Sequence, residues 1–442
     1  MRKMHLNILW GVKSMSEIVE NPRGGCVLAG INSVLGAIDK VCPVFHAGPG
    51  CCMQATAANQ GQSGNKNSSF LSSVSIPSSN MLEREVVFGG TAKLQSTIQG
   101  AIDVIEADAY FILTGCTAGI IGDDIVSITN EFKEKGFPVY GIETPGFAGD
   151  SNLGYEVVWN TFIEQVIEEQ VEKDPKQVNV FGIIPYYDPF WSGNLQEIER
   201  ILKRLGLKVN TFFTGHQDIE TVKQSSCASL NIIIHPWIFQ GPAEKFEEKF
   251  HVPSIRIPGL PVGATDTSQF IYTIAKKLGL DNELVQKVIN EEEDYVYSFY
   301  AQAIGRLSWK KFAVVADASN AIGFTRFLAN DYSFSPVLVI ISEPIFTTED
   351  KERIRRELTN LEYARAPKVL FLADQYDINK ALLEEEEISL IVGSSNEAEI
   401  ASLKGVQLIV ATFPINDRLI FNRAYAGYRG SLTLIEDLYD NL

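Results

Sequence analysis

Short apolar runs, each closed by a glycine or a polar turn and followed by an amphipathic stretch, recur along the whole chain. A chain patterned in this way buries its strands in parallel sheets covered by helices, because a helical crossover is what returns the chain to start a parallel neighbour. Strands are expected at 41–45 and 110–113, then at 178–185, 208–213, 231–235 and 254–257, then at 311–315, 336–342, 368–372 and 388–392. Helical spacing is expected over 26–38, 193–205, 267–278, 321–328 and 348–359, with a long acidic helix over 282–305. One further helix is expected to run from 83–85 through to 106, and 162–176 reads as a charged, helical link. At 442 residues the chain is too long for one ordinary core. It divides most economically into three α/β, Rossmann-like units with parallel sheets flanked by helices, at 1–172, 173–304 and 305–442.

Three cysteines sit beside glycine in turn-like stretches: Cys26 in PRGGCVLAG, Cys51 in HAGPGCCMQ and Cys116 in LTGCTAGIIGDD. Cys51 and Cys116 follow expected strands, at the carboxyl ends where open α/β sheets bind ligands. Cys26 opens an expected helix, whose positive end favours a thiolate. Glycine lets the backbone approach without a Cβ in the way, as a thiolate-bound iron–sulfur cluster requires. The spacings are too long for a compact zinc or ferredoxin signature. On these residues alone two readings stand: one set of cluster ligands, or unrelated buried thiols, since free cysteine is among the most buried residue types.

Composition narrows the partners. The net charge of −17, from 38 basic against 55 acidic residues, argues against nucleic acid, whose phosphates need a basic footprint. No apolar run reaches the ~20 residues of a membrane span. Six cysteines in so long a chain are too sparse for a disulfide framework. The start MRKMHLNILWGVKSMSE has too few apolar residues for a signal peptide. A cytoplasmic location is therefore expected.

Several residues carry no chemical expectation. Cys42, Cys52 and Cys227 read as packing thiols, and His216, His235 and His251, which share no metal spacing, read as structural. The acidic run 384–387 reads as solvated. Neither a Gly-x-Gly-x-x-Gly after a strand nor a P-loop is present, so no dinucleotide or ATP site is expected. The polar stretch 59–80 reads as a loop over the cysteines or at an interface.

The motifs NPRGGC, FHAGPGC, VVFGG, GCTAGIIGDD and TPGFAGDSNLGY, then LPVGATDTSQFI and FPINDRLIFNRAYAGYRGSLTLIEDL, occur in this order over nearly the whole chain. Together they resemble the β-type subunit of nitrogenase component 1. In layout the chain looks nearer to alternative nitrogenases and nitrogenase-like reductases, since its first matching cysteine lies close to its start.

The resemblance implies that Cys26, Cys51 and Cys116 ligate half of a P-cluster, an iron–sulfur cluster of the 8Fe–7S type shared with an α-type partner in an α2β2 heterotetramer. A simpler 4Fe–4S form is the variant reading. Where the family often carries a serine near the cluster, this chain has Asp150 with Ser151 beside it, so Asp150 is the candidate fourth, oxygen ligand. The His46–Ala47–Gly48 turn and the amides around Gly50 and Gly115 are candidates for hydrogen bonds to cluster sulfurs. The resemblance further implies that an ATP-dependent iron protein delivers electrons, and that the cofactor which reduces dinitrogen, or a bond such as that of a thioether, sits in the partner. A scaffold for metal-cofactor assembly is the alternative, and a cluster-free binding or sensor protein a third.

Overall fold

The structure, a computed structural model, describes residues 19–61, 76–215, 217–304, 309–345 and 347–440. Twelve strands fall into three sheets, and every pairing within them is parallel. The first holds β1 (Val41–His46), β2 (Ala109–Thr114) and β3 (Val139–Ile142) in sequential order. The second holds β4 (Asp174–Phe181), β5 (Lys208–Asn210), β6 (Ala228–Ile233) and β7 (Ser254–Arg256) in the order β5-β4-β6-β7. The third holds β8 (Lys311–Ala316), β9 (Ser335–Ile341), β10 (Lys368–Phe371), β11 (Leu390–Gly393) and β12 (Gln407–Val410) in the order β10-β9-β8-β11-β12. The last two orders reverse direction, between β4 and β6 and between β8 and β11, and such switch points open a crevice at the strands' carboxyl ends. β1 and β2 are buried along their whole length, as expected of strands with helices on both faces.

Helix Val27–Gly36 crosses helix Ser151–Thr161 at glycines. A Cβ at Gly30 would stand 2.0 Å from the Ser151 carbonyl oxygen, and one at Gly154 would stand 2.5 Å from the Ile31 nitrogen. The second helix then drives Trp159 into an aromatic nest, with ring centroids 4.7 Å from both Phe181 and Phe212. These edge-on contacts tie the cysteine-bearing region to the second sheet.

The α/β class read from the sequence is the observed one, and the expected strands and helices are present with boundary shifts of a few residues. Two expectations differ. The helix expected up to 106 is two helices, Glu83–Phe88 and Thr91–Val104, broken where Gly89 takes a φ of +89°. The expected helical link 162–176 is one π-helical turn, Phe162–Val166, and the chain is already strand from Asp174. Of the stretch 59–80, residues 62–75 lie outside the described residues. Its end runs beside β1, with the Phe45 amide donating to the Pro77 carbonyl at 2.8 Å and the Ser79 amide to the Phe45 carbonyl at 2.8 Å. His216 also lies outside the described residues.

Candidate metal centre

Cys26 is the N-cap of helix Val27–Gly36, Cys51 lies in the first turn of helix Pro49–Gly61 after β1, and Cys116 opens helix Cys116–Ile121 after β2. Proline as the first helical residue costs nothing, because its missing N–H would have no partner there. Cys51 is thus helical, where the sequence suggested only a turn. The chain brings all three thiols together. A Cβ at Gly146 would lie 3.0 Å from the Cys26 Sγ and 3.0 Å from the Cys116 Sγ. Burial raises the Cys51 thiol pKa, and the neighbouring Cys116, Cys26 and Cys52 raise it further. Mutual repulsion among thiolates of this kind is relieved by a bound cation. Three convergent sulfurs over a glycine that leaves room for them fit an iron–sulfur cluster.

Asp150 reaches the same place through its backbone, which forms an antiparallel bridge with Cys26, while the Val27 amide donates to the Gly149 carbonyl at 3.0 Å. Its side chain caps helix Ser151–Thr161, with Oδ1 accepting from the Asn152 and Leu153 amides at 3.1 and 3.2 Å. Ser151 is buried, and a Cβ at Gly24 would stand 2.4 Å from its Oγ.

The motif residues around the thiols hold one another. Asp123 accepts the Gly90 amide at 3.0 Å and the His46 Nε2 at 2.8 Å, while the His46 Nδ1 meets the Ser79 Oγ at 2.9 Å. Burial lowers the His46 pKa, against the pull of Asp123. The FHAG, VVFGG and GIIGDD segments are therefore one hydrogen-bonded knot, and Gly119 packs where a Cβ would stand 2.7 Å from Pro145. The His46 ring is consumed in this knot, and the Gly115 amide donates to the His46 carbonyl at 2.9 Å, so both groups are engaged within the chain.

The other cysteines behave differently. Cys42 is fully buried, and burial pushes its thiol up to about 12. The Cys52 Sγ donates to the Ile76 carbonyl at 3.5 Å. Cys227 lies in a short 3-10 turn, Ser225–Cys227, far along the chain in the second sheet's region.

Exposed apolar side chains lie on or beside the elements that carry the three thiols. Met53, Ile120 and Phe147, which share the thiols' helices or adjoin Gly146, are 71%, 74% and 52% exposed, and Phe88 on the neighbouring short helix is 82% exposed.

Residues 26–442 match the family model described as nitrogenase component 1 type oxidoreductase. A nitrogenase iron-molybdenum cofactor biosynthesis protein, NifE, from Sinorhizobium fredii is 26% identical over 94% of this chain and 80% of its own length. A nitrogenase molybdenum-iron protein beta chain from Methanococcus maripaludis is 23% identical over 96% of this chain and 94% of its own. The solved structure of nitrogenase Cp1 at pH 6.5 superposes with a TM-score of 0.79 at 20% identity, covering 97% of this chain and 94% of that one, a likeness of fold.

Proposed function

The chain belongs to the nitrogenase component 1 type oxidoreductases, and from that premise we propose that it is the β-type subunit of a nitrogenase or nitrogenase-like reductase. In this reading Cys26, Cys51 and Cys116 hold half of a P-cluster-type iron–sulfur cluster at the contact with an α-type partner. Bound there, such a cluster takes up and passes on one electron at a time. The observation that carries the reading is the meeting of three partly or fully exposed thiols, with exposed apolar side chains on the elements that bear them, which supports a cluster completed and covered by a second chain. Gly146 leaves space for the sulfurs, and the Asp123–His46 knot fixes the loops that deliver Cys51 and Cys116. Electrons would arrive from an ATP-dependent iron protein and leave toward a cofactor in the α-type chain, with dinitrogen or a small thioether as substrate classes. Among the described residues no helix is long and apolar enough to cross a membrane. A cytoplasmic setting, where thiolates stay reduced, belongs to the same reading.

A second reading, a scaffold on which the metal cofactor is built, draws on the likeness to NifE. The two readings part in one experiment. The chain is co-produced anaerobically with its α-type partner, analysed for iron and by EPR, and then tested with an iron protein and ATP. Reduction of substrate supports the reductase, whereas transfer of a metal cluster to a cofactor-free acceptor without turnover supports the scaffold. Material without iron defeats both. Cys51→Ala and Cys116→Ala should each lose iron from the complex, and Cys227→Ala should keep it.

A further inference from the structure

The crevice between the second and third sheets holds a different set of donors. His235 follows β6, Asp317 follows β8 and Glu343 follows β9, so all three stand at strand carboxyl ends, two of them at switch points. Gly182, with φ +100°, lets the chain after β4 pass the His235 backbone, where a Cβ would stand 2.4 Å from its nitrogen. The His235 and Glu343 side chains are only 4% and 5% exposed, and Asp317 is 24% exposed.

The geometry is unusual for an ion pair. The His235 Nε2 lies 3.4 Å from the Asp317 Oδ1 and 3.2 Å from the Glu343 Oε1, close enough to pair electrostatically, yet neither ring nitrogen makes a hydrogen bond of good geometry. At 3.2 Å an oxygen in line with a ring N–H would make an ordinary bond, and at 3.4 Å a long one. Both oxygens therefore lie to the side of that line. Two oxygens off-axis at such distances are what a shared cation produces, since four ligands at ~2.0–2.1 Å in a tetrahedron lie about 3.3–3.4 Å from one another. Both carboxylates are also pinned. Glu343 Oε1 accepts the Ala318 amide at 2.8 Å, and Asp317 Oδ1 accepts the Asn320 amide at 3.0 Å. Outer partners of this kind hold metal ligands in position.

Charge and space agree. The cavity against these residues is about 30 Å³, room for a water-sized group, and Asp188 lines it as a third carboxyl while no lysine or arginine does. Carboxyl groups gathered beside one imidazole in a crevice without lysine or arginine need neutralising, which a bound cation does in place of added protons. A second cavity, of about 160 Å³, is lined by Asp317, Glu343 and Tyr187 together with Gly24, Gly25 and Asp150.

We propose that His235, Asp317 and Glu343 bind one divalent transition-metal ion, with water in the remaining position. One imidazole with two carboxylates suits Mn(II), Fe(II) or Zn(II). The site shares no ligand with the three cysteines and stands whether or not they hold a cluster.

Mn(II) is the discriminating probe, because its hard-ligand preference keeps it off the thiols. The full chain, stripped with chelator and kept reduced, is titrated with Mn(II) while the EPR signal of free aqueous Mn(II) is followed. One equivalent should be taken up and then displaced by Zn(II) added beyond what the three thiols take up, since such donors bind Zn(II) more tightly than Mn(II). His235→Gln and Glu343→Gln should each weaken uptake at least about tenfold, and Cys51→Ala should leave it unchanged. No stoichiometric uptake, or equal uptake in wild type and both variants, overturns the site. Glu343→Gln also guards against misfolding, being close in shape. If its melting temperature matches that of the stripped wild type, its weakened uptake is a property of the site. If it melts well below and the wild type takes up no Mn(II), the three residues are a protonated-histidine ion-pair cluster and the proposal fails.

Discussion

The Arg23 guanidinium bonds the Glu397 carboxylate across 374 residues of chain, with both side chains almost wholly buried. Arg23 adds bonds to the Ser394 Oγ and the Phe413 carbonyl, each at 3.3 Å, and Glu397 also accepts the Ser394 amide at 2.7 Å. Arg23 stands three residues before Cys26, so this contact fastens the first thiol's loop to the end of β11 in the third sheet.

Arg23→Ala strands a buried carboxylate. The expected loss is about 3–5 kcal/mol, the usual cost of removing one partner of a buried pair, read as a lower urea midpoint. The double variant Arg23→Met with Glu397→Leu should recover much of it. Equal losses for the single and double changes would show that the ion pair itself is not what fastens the loop.

Gly146→Ala separates packing from ligation. Gly146 has no left-handed backbone requirement, so alanine fits its conformation, but the new Cβ would press on the Cys26 and Cys116 sulfurs at 3.0 Å. Iron per complex should fall severalfold while the denaturant midpoint stays within about 1 kcal/mol of wild type. Full iron retention would place the cluster elsewhere.

Gly30→Ala tests the helix crossing. Its Cβ would meet the backbone oxygen of Ser151 at 2.0 Å, and backbone cannot swing aside. An overpacking cost at or above the upper end of about 1–3 kcal/mol is expected. Ala29→Gly, one position away on the same helix, should cost only about 1 kcal/mol. Comparable losses at the two positions would remove the crossing's special status.

His46 supplies a pH dependence. Burial lowers its folded pKa, so between that value and the ordinary ~6.5 the unfolded chain binds the extra proton. Its contribution is complete above ~6.5 and is lost as the pH falls through that value toward the folded one. Denaturation followed from pH 8 to pH 5 should show His46→Gln less stable at pH 8 but with a shallower decline. Parallel declines would assign the acid sensitivity to other groups.

Much of the fold was legible because its signal is local. Helix Thr348–Thr359 and strand β8 announce themselves by spacing and by the turns that bound them. The break at Gly89–Gly90 was also written in the sequence, as two glycines inside a helical pattern, and was passed over. The convergence of Cys26, Cys51 and Cys116 was suggested only by their shared glycine context and by family likeness, since nothing local states that three loops meet. His235 is the clearer case. Its partners Asp317 and Glu343 come from another sheet, and no spacing along the chain encodes an approach that the crevice between sheets creates.

Partly exposed thiols at Cys26, Cys51 and Cys116, with exposed Met53, Phe88, Ile120 and Phe147 on or beside their elements, have a cost for any copy made alone. Accessible thiols oxidise and exposed apolar side chains self-associate. Timing and stoichiometry of synthesis thus become part of this protein's stability. With the proposed α-type partner as the cover, a surplus of this chain is expected to be lost to oxidation and aggregation, so balanced production protects it as surely as any contact in its core.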